Sequence, residues 1–174
     1  MSYFAAVLAR GNKGWTAAEL DLDGAGDVDE VADLVRDVDL DADVSLLFVE
    51  CEDEYLVVMR VDGGDDPRVF ASDAAFAEES RVGEVLLHGL DPAIGAADPS
   101  DDLGDEENGG AEADDAEPST IHPVGEADLL SDLGTPAKDL LALCAHEGTL
   151  PADVMIELST RAGCADVLEE LREG

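Results

Sequence analysis

Apolar and polar positions alternate, cluster and fade along this chain in three different ways. Residues 3–9, "YFAAVLA", form a compact apolar run that predicts a strand, followed by the turn-like "RGNKG". In "WTAAELDLD" the apolar positions alternate, with Trp15 and Ala17 in one phase and Leu20 and Leu22 only roughly in step. That pattern predicts a hairpin partner with a slip or bulge near Ala18 and Glu19. From Asp27, "DVDEVADLVRDV" sets Val28, Val31, Leu34, Val35 and Val38 at helical spacing, with Asp27, Asp29 and Glu30 at the positive end of the helix dipole. "VSLLFVE" and "YLVVMRVD" predict adjacent strands joined through the acidic turn "CEDE", and "RVFAS" a further strand. "DAAFAEES" fits a short helix, while "GEVLLHG" fits either a last strand or an irregular arm. Residues 1–90 are thus expected to form an antiparallel α+β sheet domain with one covering helix.

The pattern disappears in the middle. Residues 91–122 hold eleven acids and no base, spaced by Gly, Pro, Ala and Ser without periodicity. Such a segment buries too little apolar surface to offset the entropy of ordering, and a disordered acidic linker is expected there. Helical spacing returns over residues 123–174. Gly134, Gly148 and Gly163 each follow an apolar-periodic segment, where a left-handed capping residue belongs. Thr135-Pro136 reads as N-cap and first helical residue, and Pro151 sits just inside the next helix. Four short helices of this kind make a small C-terminal helical bundle, marginal as an independent core and therefore suited to docking on the sheet or on a partner.

Composition narrows the function classes. With 44 acids against 9 bases the chain carries a net charge of −35. Phosphate backbones and anionic lipids are repelled by such a surface, so direct contact with nucleic acid or membrane is not expected, whereas a basic protein partner is allowed. Salt adaptation accounts for the same acidity equally well. Apolar residues still make up 45% of the chain, enough for a core. Cys51, Cys144 and Cys164 form no CxxC pair, and no apolar stretch approaches a membrane span, so a reduced, cytoplasmic protein is expected.

Catalytic and metal-binding patterns are weak. "DLDGAGDVDEVA" aligns Asp21, Asp23 and Gly26 with a calcium loop but places Ala25 and Ala32 where a ligand and the bidentate Glu belong. Cys144 and His146 stand two apart, on different faces of a helix, a poor geometry for a shared metal. Cys51 lies between Glu50 and Glu52, which oppose thiolate formation. GxSxG, GxGxxG and P-loop motifs do not occur. No metal and no cofactor are expected. "DDPRVFASD" is the place where polar groups gather beside a strand end, and Asp66, Arg68 and Asp73, with Trp15, are the candidate interaction or ligand residues. A pocket gathering Arg68 with Trp15 or Tyr55 would favour ligand binding, and a flat surface would favour docking.

The strings "YFAAVLAR", "LLFVE", "RVDGGDDPRVFASD" and "DLGTPAKDLLALC" resemble an actinobacterial family of tRNA adenosine deaminase-associated proteins. The likeness covers both flanks but not the acidic middle. It implies an accessory, since zinc deaminases carry H-x-E and P-C-x-x-C. Here His88, His122 and His146 precede "GL", "PV" and "EG". The expected function is that of a non-catalytic accessory or interaction protein with a protein partner, a tRNA adenosine deaminase by resemblance. A free-standing acidic adaptor and an acidic mimic competing with nucleic acid for a basic partner are the alternatives. A small-ligand-binding protein or enzyme ranks below them.

Overall fold

The computed structural model describes residues 3–52, 54–63, 66–73, 81–87, 123–145 and 150–173. Strands β1 (Phe4–Gly11), β2 (Gly14–Glu19), β3 (Val44–Cys51), β4 (Tyr55–Asp62), β5 (Arg68–Ala71) and β6 (Val124–Gly125) form one sheet in the order β2-β1-β3-β4-β5-β6. Every adjacent pair is antiparallel. The helices are α1 (Val28–Val38), α2 (Arg81–Leu87), a 3-10 helix (Ala127–Leu133), α3 (Ala137–Ala145), α4 (Pro151–Ala162) and α5 (Ala165–Glu173). The α+β antiparallel class expected from the sequence is the class observed.

Side chains alternate across a strand, so each strand here feeds two cores. Ala5, Val7, Leu47, Val49, Val57 and Met59 point to one face, where Val31, Ala32 and Val35 of α1 and Leu86 of α2 cover them. Ala6, Leu8, Leu46, Phe48, Val58 and Phe70 point to the other, beneath Leu129, Leu130, Leu140, Met155, Leu158 and Leu168. The C-terminal helices therefore pack on the sheet rather than only on one another. Residues 124–125 also extend the sheet itself, with Gly125 opposite Phe70. That pairing needs glycine: φ is +96°, and a Cβ there would lie 2.0 Å from the Val69 carbonyl oxygen.

Several local expectations change. No bulge interrupts the first hairpin, whose register runs unbroken from Gly11 opposite Gly14 to Ala6 opposite Glu19. The phase shift in the sequence marks the end of β2. Trp15 and Ala17 join the C-terminal core, whereas Leu20, Leu22 and Ala25 cross the sheet edge and join the α1 core. "GEVLLHG", expected as a strand or arm, is helical through Leu87. α3 starts one residue later than expected. Its first bond runs from the Leu140 amide to the Pro136 carbonyl, and the buried Thr135 hydroxyl has no hydrogen-bond partner among the described residues. Gly134 and Gly163 take the left-handed capping conformation at φ 100° and 89°. Gly148, the expected helix over "DAAFAEES" beyond Asp73, and the acidic segment 91–122 lie outside the described residues.

Candidate functional site

Among the described strand residues, one buried side chain carries a charge. Arg60, the one base of β4, faces the C-terminal helices and is 5% exposed. A buried guanidinium must find partners for its nitrogens, and each of the three here has at least one. Its Nε donates to Asp62 Oδ1 at 2.8 Å, its Nη1 to the Leu129 carbonyl at 2.7 Å, and its Nη2 to Asp132 Oδ2 at 2.9 Å. A second bond from Nη1 to Asp132 Oδ1 completes a two-pronged grip on that carboxylate. Arg68 stands opposite Arg60 on β5 and pairs with Asp62 at 3.6 Å. Two arginines and two aspartates thus balance at the sheet end, pinning the 3-10 helix to β4.

The electrostatics follow from that grip. Hydrogen bonding to Asp132, against the cost of burial, raises the pKa of Arg60 above its ordinary value. The same hydrogen bond holds Asp132 below the usual carboxylate range. Neither group is poised to exchange a proton near neutral pH, and the arrangement works as a fastener.

The four candidate residues from the sequence do not converge. Arg68 and Trp15 share a sheet face but sit on β5 and β2, four strand spacings or about 19 Å apart. Trp15 is instead stacked with Arg10, whose guanidinium carbon lies 5.6 Å from the ring centroid. Asp66 is exposed before Pro67, beside the Arg68 end of β5. Asp73 is buried past the other end of that strand, about 17 Å along the chain from Arg68. Tyr55 is buried at the start of β4, remote from Arg68.

The remaining chemistry is equally committed. Burial pushes Cys51 up to about 11, with the neighbouring Glu54, Glu52 and Glu50 adding to it. Burial likewise takes Cys144 and Cys164 up to about 12. These thiols are small core residues rather than nucleophiles. In the calcium-like loop, Ala25 and Ala32 are buried against the sheet, so the positions that lack ligands are core positions. Asp21 and Asp23 instead accept from the Tyr3 hydroxyl at 3.3 and 3.2 Å. Among the described residues no three His, Cys, Asp or Glu side chains are grouped to hold a metal ion. An open depression of about 460 Å³ lies between α1 and α2, lined by Gly26, Asp27, Val28, Arg81, Glu84 and Val85. Its Asp27 carboxylate already caps α1 by accepting from the Glu30 amide at 3.0 Å. His88, His122 and His146 lie outside the described residues, so the spacing of Cys144 and His146 has no geometry here.

Sequence reasoning missed Arg60 and Asp132. A lone Arg between Met59 and Val61 in a doubly buried strand was the available signal, because such a charge requires a carboxylate partner. Which carboxylate could not be read among 44 acids.

Fold and site together define an α+β protein with an antiparallel sheet clad on both faces, whose buried Arg60 fastens its layers. Residues 3–165 match the family described as Rv3753c-like tRNA adenosine deaminase-associated protein, and the chain belongs to that family. Neither a curated protein nor a solved structure matches it. Among the described residues no helix is long and apolar enough to cross a membrane.

Proposed function

We propose that this chain is a non-catalytic accessory that docks through its ordered surface onto a protein partner, a tRNA adenosine deaminase, in the cytoplasm. The family match over residues 3–165 carries the choice of partner. The absence of catalysis is supported by the pairing of the site's arginines and aspartates with one another, and by burial holding Cys51 and Cys164, elsewhere in the core, protonated. A net charge of −35 suits a partner with a basic surface, since complementary charge speeds and orients encounter.

Direct mimicry of tRNA by the acidic run 91–122 is the weaker alternative. Its acids are irregularly spaced, and a decoy gains affinity from pre-ordered charge. Affinity purification of the tagged chain from its native host at moderate salt tests the proposal. Recovery of the deaminase supports it. Its consistent absence, with another protein recovered instead, would favour the free-standing adaptor.

A further inference from the structure

The sheet ends at β2, and among the described residues β2 pairs with β1 alone. The Leu20 amide donates to the Ala5 carbonyl at 2.9 Å, which sets the direction of the backbone groups just before it. Antiparallel strands alternate between residues bonded to the neighbour and residues turned away. Ala18, Thr16 and Gly14 therefore face β1, and Glu19, Ala17 and Trp15 turn their amides and carbonyls to the open edge. Natural edges are often guarded by proline or a bulge; β2 has neither, and its one charge is Glu19 at its last position.

We propose that this edge is the protein's docking site for an extended, positively charged segment of a partner, received as an added strand. The backbone supplies pairing, and the surroundings supply the charge preference. Glu19 is exposed on the edge itself, and Asp21 and Asp23 are exposed just past its end. α5 packs over β2 and β1, with Glu169, Glu170 and Glu173 exposed. Of the bases nearby, Arg10 is stacked on Trp15, and Arg172 is engaged with Glu50 and Phe4; Lys13 at the hairpin tip is exposed. The edge is thus acidic on balance. A second copy of the chain, itself at −35, is the wrong occupant. This assignment rests on the accessory reading for the partner's identity, but not for the chemistry of the edge.

The test uses the full-length protein and a nine-residue peptide of alternating Lys and Val. A second peptide of the same sequence, N-methylated at every residue, keeps the charge and loses the strand-pairing donors. Hydrogen exchange is followed at each amide. The first peptide should slow exchange at Trp15, Ala17 and Glu19 but not at Thr16 and Ala18, and should bind at least about tenfold more tightly than the second. Ala17→Pro removes an outward amide and should abolish the difference; should that variant not fold, the two peptides on the native chain decide. Equal binding of both peptides would mean charge attraction alone and overturn the assignment, as would no binding. Edge amides already protected in the free protein, with a doubled mass in sedimentation, would give the edge to a second copy. Failure here alongside recovery of the deaminase would leave the accessory reading standing and remove only this surface.

Discussion

The two faces of the sheet are covered in different ways. The α1 face is closed mainly by the segment that follows β2 directly, with Leu86 of α2 beside it, and its seal is mainly aliphatic: Val31, Ala32 and Val35 against Val7, Leu47, Val49 and Val57. One arginine assists, Arg36 reaching the Gly63 carbonyl at 3.4 Å. The opposite face is closed by residues 123–173, far along the chain, and it holds most of the arginine contacts. Arg60 grips Asp132, Arg172 meets Glu50 at 2.8 Å and lies 5.0 Å from the Phe4 ring centroid, and Arg161 ties Glu157 to Asp139 within the helices. A local cover finds its register through chain connectivity. A distant cover needs contacts that specify where it sits, and in a chain with nine bases the arginines are concentrated there.

Substitutions break this contrast in graded ways. Phe48→Ala empties one of the two fully buried phenylalanines under the distant cover and should cost about 4 kcal/mol of unfolding free energy in urea titration. Gly125→Ala forces a Cβ into the Val69 carbonyl and should cost about 3 kcal/mol, with faster hydrogen exchange at Phe70 and the 3-10 helix while α1 is unchanged. On the local face, Val35→Ala should cost about 2 kcal/mol, with exchange rising in α1 and not in α4.

Acid should act on the distant cover selectively. Asp132 has a folded pKa below its unfolded value, so its contribution is fully present above about pH 4. It is lost as pH falls through the lower folded value. Exchange in the 3-10 helix should therefore rise over that acidic window more than in α1, and Asp132→Asn should flatten the difference. Smallest of all, Arg172→Ala removes an exposed ion pair and a ring contact and should cost about 0.5 kcal/mol, decreasing with salt.

Most elements were legible because their signals are local. The β3 and β4 runs, the spacing of α1, and the glycines at 134 and 163 each announce themselves within a dozen residues. The pairing of the two zones was not legible. "VSLLFVE" and "YLVVMRVD" are continuous apolar runs rather than alternating ones, the mark of strands buried on both faces. That signal says a second cover exists, but not that it is residues 123–173. The hairpin misled for a related reason: Leu20 and Leu22 keep an alternating look while the chain leaves the sheet for its other side. For the candidate site, chain proximity in "DDPRVFASD" was a poor guide, since an extended strand separates Arg68 from Asp73.

The accessory role is tested most directly by titrating the purified chain against the purified tRNA adenosine deaminase, with and without residues 91–122. The expected result is a complex whose affinity is unchanged by the deletion, because the ordered surface makes the contact. Absence of a complex with the intact chain, or loss of binding when the acidic run is removed, would contradict it.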